Sequence, residues 1–144
     1  MKLLRDFTED LETVRTTLGC DFAIISHIDK SDYEVAAVNS ELSHVKLGAH
    51  FEIQDTYCNA VVETKNTVIY DKVGAIKAMV LHPIYTAMQL EAYIGEPLRV
   101  SNKIVGTLNF SGFMPKKPAF NAADIQIVKA LAKKVEAAID PTSV

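Results

Sequence analysis

The stretch Ala92–Gly112, AYIGEPLRVSNKIVGTLNFSG, decides the fold of this chain. Two apolar runs with Tyr, Ile, Val and Phe flank Ser101-Asn102, a short polar link of the kind that closes a tight hairpin turn. The reading predicts two strands, Glu91–Val100 and Lys103–Phe110, paired antiparallel. Beyond them, Met114–Pro118 is a Pro- and Lys-containing loop. Asn121 then has the side chain to cap a final helix that runs through Ile125, Ile127, Val128, Leu131, Val135 and Ile139. Phe120 before the cap and Ile125 four positions after it form a hydrophobic-staple pair. Asp124 stands where a capping box usually has Glu.

Upstream, the segment Lys72–Leu90 is helical in composition but broken at His82-Pro83. Proline removes a donor and restricts the residue before it, so two short helices, or a helix and a loop, are expected. Thr67–Tyr70 reads as a short strand, preceded by a helix that Asp55 or Thr56 caps and that ends near Lys65, with Asn66 at a left-handed exit. Ser40–Gln54 is mixed in polarity, with a short strand at His50–Ile53. Cys20–Ile28 and Tyr33–Asn39, joined by the turn residues Asp29–Asp32, predict a second hairpin in a central position. Leu3, Leu4, Phe7, Leu11, Val14 and Leu18 recur at helical spacing among charged residues, which predicts an amphipathic first helix stopped by Gly19.

This order predicts an α+β domain: an antiparallel sheet of five to six strands, terminal helices on one face and irregular helical segments on the other. The 144 residues are 49% hydrophobic and 23% charged, enough for one domain with its own core and no stabilising metal or disulfide. Fifteen basic against eighteen acidic side chains, spread along the chain, argue against nucleic acid as a partner. Acidic residues interrupt the first helix where a signal peptide would need an apolar run, and no stretch approaches a membrane span, so a cytoplasmic protein is expected. Cys20 and Cys58 form neither a CxxC pair nor a zinc-type cluster with the four histidines, and no metal site is expected.

Taken together, LGCDFAIISHID, DTYCNAVVETKNTVIYD, AYIGEPLRVSNKIVGTLNFSG and FNAADIQIVKALAKKV resemble the GAF domain family across almost the whole chain. Gly95, Pro97 and Gly106 carry the most specific part of the likeness. The resemblance implies a sensory module that binds a small molecule between the sheet and its irregular cover. It also implies dimerisation through the terminal helices and signalling to an attached output domain. The Lys72–Leu90 segment is then the lid. Tyr57, Cys58, Asp71, His82, Tyr85, Tyr93 and Asn109 are the residues expected to face the ligand; the cofactor is unknown.

Each has a plainer reading. Cys58, near a helix start, is either an activated thiolate or a small buried hydrophobe. His82 is either a ligand contact, even to a haem iron, or a helix-end histidine. Asp71 either binds a polar group or caps the next helical segment. No catalytic motif is present: GxSxG, HExxH and a phosphate-cradling glycine loop are all missing. The pattern of cyclic-nucleotide-binding GAF domains is incomplete, because Asn102-Lys103 falls in a turn without a following Asp-Glu. Bilin-binding members usually carry Cys-His in the lid, where this chain has Leu81-His82. The free methionine sulfoxide reductases of this fold use several cysteines, and only Cys58 is placed for such a role. The expected function is therefore sensory. The alternatives are a ligand-free structural or dimerisation module, a tetrapyrrole-binding domain and a thiol redox protein.

Overall fold

The computed structural model describes residues 1–144. One six-stranded sheet, antiparallel throughout, forms the middle layer: β1 (Phe22–Asp29), β2 (Asp32–Asn39), β3 (His50–Glu52), β4 (Val68–Tyr70), β5 (Ala92–Val100) and β6 (Lys103–Gly112), in the spatial order β3-β2-β1-β6-β5-β4. Ser101 and Asn102 both take positive φ, 52° and 64°, as a two-residue hairpin turn requires. The β5–β6 hairpin thus lies beside β1 through β6, with β2, the hairpin partner of β1, on the other edge of β1.

Two glycines in the hairpin meet close neighbours. A Cβ on Gly106 would lie 1.8 Å from the Ser26 carbonyl oxygen across the β1–β6 pair, and one on Gly95 would meet the Tyr93 phenol at 2.1 Å. Gly106 therefore permits the strand pairing, and Gly95 makes room for an aromatic ring to fold back over the sheet.

The terminal helices α1 (Thr8–Leu18) and α4 (Ala122–Ala138) cover one face. Phe7, Leu11, Leu18, Val128, Leu131 and Val135 meet Ala23, Ile25, Ile94, Leu98, Leu108 and Phe110 in the larger core. The apolar stripes of both helices are thus buried against their own sheet. The α4 cap forms as the residue pattern implies: Asn121 Oδ1 accepts from Asp124 N at 2.9 Å, and Asp124 Oδ2 accepts from Asn121 N at 3.0 Å.

The first helix is shorter than its periodicity implied. Asp6 accepts from the Thr8 amide and hydroxyl, so the helix begins at Thr8; Leu3 instead bridges to Ile139 beside the chain's other end, and Leu4 is exposed. Gly19 ends the helix at φ 72°. The other face carries α2 (Cys58–Thr64), a 3₁₀ turn at Val73–Ala75 and α3 (Pro83–Met88). Neither predicted cap of α2 forms: no side chain caps it, and the Thr56 hydroxyl donates to Ile53 O instead. Its left-handed exit is Lys65, one residue before Asn66.

Candidate functional site

The site begins with the alternation along β6. Thr107, Asn109 and Ser111 point toward α2 and α3, while Leu108 and Phe110 point into the helix-covered core. All five are buried. A run of polar side chains on a central, fully covered strand must find partners, because an unmet buried polar group costs free energy.

Most of those partners lie in one cluster around Cys58. Ser26 and Thr107 share a 2.6 Å hydroxyl contact, and the Thr107 amide donates to Ser26 Oγ at 3.0 Å. The Thr107 hydroxyl donates to Cys58 Sγ at 3.2 Å, and the Tyr93 hydroxyl donates to the same sulfur at 3.0 Å. With Thr107 donating to sulfur, the shared proton of the Ser26–Thr107 contact comes from Ser26. Asn109 Nδ2 spends both hydrogens, on Tyr33 Oη at 3.3 Å and Thr107 Oγ1 at 3.2 Å.

Burial raises the Cys58 thiol above its ordinary range, opposed by its hydrogen bonds with Thr107, Tyr93 and Tyr33, so at neutral pH the sulfur is a thiol that accepts from Thr107 and Tyr93 and donates to Tyr33 Oη at 4.0 Å. Burial likewise holds the Tyr33 and Tyr93 phenols neutral. The activated-thiolate reading of Cys58 thus gives way to desolvation. Cys20, pushed up to about 12 mainly by burial, lies in the core across the sheet, so the two thiols occupy opposite faces.

In front of this cluster is a cavity of about 130 Å³. Tyr33, Tyr93, Asn109 and Ser111 form its floor and Phe22 and Ile24 its side. Ile84, Met88 and Leu90 come from the lid, and His44, Val45 and Phe51 from the connection between β2 and β3. His44 packs edge-on to Phe22 and Phe113, with ring centroids 6.1 and 5.6 Å apart, which docks that connection onto the sheet. Larger hollows beside α4, about 470 and 450 Å³, are lined mainly by polar and charged side chains.

Glu91 fastens the lid. Its Oε1 accepts from Gly74 N at 2.8 Å and its Oε2 from the Tyr85 hydroxyl at 2.9 Å, while its backbone carbonyl accepts from Val73 N. One residue at the root of β5 therefore holds both the 3₁₀ turn and α3. The Tyr57 hydroxyl adds a bond to Leu90 O at 2.8 Å, and the Tyr57 ring packs against Tyr70, Tyr93 and His82 at 5.0–5.4 Å between centroids.

Of the seven residues singled out from sequence, Tyr57, Cys58, Tyr93 and Asn109 line the cavity, and Asp71, His82 and Tyr85 do not. Asp71 anchors the loop before α4: its Oδ1 accepts from Phe120 N and its carbonyl from Lys116 N. The His82 Nδ1 accepts from Ile84 N at 3.2 Å and caps α3; burial lowers its pKa, so the ring is neutral. Tyr85 turns to Glu91, while Ile84 and Met88, one turn apart on the same helix face, turn inward.

The sequence reading missed Tyr33, Thr107, Ser111 and the docked 40–51 connection. The first three had a legible signal: T-L-N-F-S at 107–111 alternates polar and apolar in a strand whose neighbours bury both faces, and Tyr33 sits in the strand-forming run YEVAAVN.

The GAF domain family model matches residues 7–139. Sequence comparison with curated proteins gives no match. Among solved structures, the chain is similar to the GAF domain of an Acinetobacter phosphoenolpyruvate-protein phosphotransferase, with TM-score 0.72 and 14% identity over 92% of this chain and 78% of that one. It is also similar to the phycocyanobilin-bound GAF domain of a cyanobacterial phytochrome, with TM-score 0.71 and 14% identity over 92% and 81%. A type II free methionine-R-sulfoxide reductase from Thermoplasma acidophilum matches with TM-score 0.68 and 13% identity over 91% and 87%. At these identities the structural likeness speaks for the fold, and the family model, spanning nearly the whole sheet-and-helix unit, speaks for descent: the chain belongs to the GAF domain family.

Proposed function

We propose that this GAF domain is a sensory or regulatory module that takes a small molecule between the sheet and the lid. The observation that carries the reading is the cavity itself: an apolar enclosure with a few convergent polar groups on its floor. The cover over it is built from short segments tied down largely at Glu91, whereas the opposite face is covered by two long helices. Occupancy is proposed to favour one arrangement of lid and sheet and to pass that bias through α1 and α4, to a second copy or to an output domain. Such a homodimer belongs to the same proposal; it would have to use the outward, polar sides of those helices, since their apolar stripes are spent on the core.

We assign the domain to the cytoplasm, in keeping with two unpaired cysteines and with the lack of any helix long and apolar enough to cross a membrane. Thiol redox chemistry is disfavoured by a protonated, buried Cys58 whose only fellow cysteine lies across the sheet.

Native mass spectrometry and an absorption spectrum of freshly purified protein, followed by a metabolite panel read by hydrogen exchange, test the reading. A bound molecule that slows exchange in 72–90 and alters it in α1 or α4 is the expected result. An empty, colourless dimer that responds to nothing would leave a structural module.

A further inference from the structure

Resting on that receptor reading, we infer that the guest is an uncharged molecule of single-ring size bearing a hydrogen-bond donor, which Asn109 Oδ1 accepts while Ile84 and Met88 close over the ring. Size comes first. The space is about 130 Å³, and an apolar cavity of about 150 Å³ takes a benzene, so a single six-membered ring with at most a small substituent is the size that fits without rebuilding the lid.

Charge comes second. No Lys, Arg, Asp or Glu lines the cavity. Its ionisable groups are three phenols and one thiol, all buried, together with the His44 ring at the exposed mouth. A carboxylate or ammonium entering this space would surrender its hydration and meet no opposite charge, which weakens binding steeply.

The polar floor supplies the third element. Both Asn109 Nδ2 hydrogens are committed, and Oδ1 accepts none of the hydrogen bonds in the structure, although the residue is only 4% exposed. That oxygen is not sealed away, for it is not among the fully enclosed side-chain atoms that make no hydrogen bond. Asn109 Oδ1 therefore opens onto the space before it. Ser111, two residues along the same face and equally buried, also makes no side-chain hydrogen bond and gives the guest a second polar contact. A buried acceptor left unmet is costly, so a guest without a donor forfeits affinity rather than merely failing to gain it.

The experiment uses the whole chain with methyl-labelled Ile, Leu, Val and Met, titrated near pH 7 with phenol, anisole, toluene, benzoate and benzylamine. Phenol is expected to shift the methyl signals of Ile24, Ile84, Met88 and Leu90. Anisole and toluene, which lack the donor, should bind about fivefold more weakly, and the two charged probes at least about tenfold more weakly. In Asn109→Leu the preference for phenol over toluene should vanish, with toluene binding more tightly than to the unaltered protein because no acceptor is left unmet beneath it. Met88→Trp, which fills the cavity, should abolish binding of both. The ligand series in the unaltered protein keeps the test decisive even if a variant fails to fold. Benzoate or benzylamine binding as tightly as phenol at these methyls, or anisole matching phenol, overturns the inference and leaves the receptor reading standing. If no probe moves these signals up to its solubility limit, both fall.

Discussion

The two faces of the sheet are made from the same strands yet solve different problems. On the helix-covered face, Ala23, Ile25, Ile94, Leu98, Leu108 and Phe110 are all buried and wholly apolar, and the cover is an 11-residue and a 17-residue helix. Burial of these six returns hydrophobic free energy and demands no hydrogen bonds, and the two charges buried on that side are each met, Glu96 by Thr67 and Lys129, Arg15 by Asn39 and the Cys20 carbonyl. On the lid face, the intervening positions Ser26, Thr107, Asn109 and Ser111 are equally buried but polar, and the cover is a set of elements no longer than seven residues. Here the buried surface must satisfy a hydrogen-bond network, and where it does not, a cavity remains. One face is built to hold the fold; the other keeps space and unmet polar atoms in reserve, the arrangement expected of a site.

The most severe test of that contrast is Phe110→Ala. A fully buried phenylalanine on the helix side should cost about 3–5 kcal/mol in urea denaturation. A smaller loss than that from substitutions across the sheet would break the comparison. Thr107→Val removes the hydroxyl that links Ser26, Asn109 and Cys58, and is expected to cost about 1–3 kcal/mol by the same measurement, since it orphans partners as well as removing bonds.

Alkaline pH probes both faces at once. Each carries one thiol whose folded pKa lies above its ordinary 9.0, Cys20 at about 12 and Cys58 raised, so the folded protein keeps protons that the unfolded chain releases. Their contribution is fully present below about pH 9 and is lost as pH rises toward the folded values, at no more than about 1.4 kcal/mol per pH unit per proton. The buried phenols of Tyr33 and Tyr93 join in above about pH 10. Denaturation midpoints measured from pH 8 upward should therefore fall, and less steeply in Cys20→Ala and Cys58→Ala; an unchanged slope in both would contradict the burial of the thiols. The smallest effect is expected from Ser111→Ala, less than about 1 kcal/mol in either direction, because its hydroxyl has no partner to lose. A larger cost would mean that this part of the floor is bonded in the empty protein, and would sharpen the line between scaffold and site.

Much of the architecture was legible. The β5–β6 turn at Ser101-Asn102, the α4 cap at Asn121, the Gly19 stop and the break at His82-Pro83 each rest on interactions between residues near in sequence, and each appears where that local chemistry put it. The start of α1 was misjudged because Leu3 belongs by periodicity to a helix but by contact to Ile139, at the far end of the chain. For the site, the strand residues Tyr93 and Asn109 line the cavity, whereas His82 and Tyr85 are turned away by a backbone amide and by Glu91. The polar row of β6 was readable as an alternation, though not its meaning.

What the residues alone determined is whatever two or three turns of neighbouring chain can enforce: element type, hairpin turns, caps and the apolar period that lays two long helices on one side of a sheet. What the tertiary structure decided is which polar side chains exhaust one another and which are left over. Asn109 and Ser111 were always in β6; that Nδ2 meets Tyr33 from a different hairpin while Oδ1 meets nothing depends on contacts between residues 76 positions apart. Hydrogen-bond satisfaction is a property of the assembled interior, and so is the space left in it.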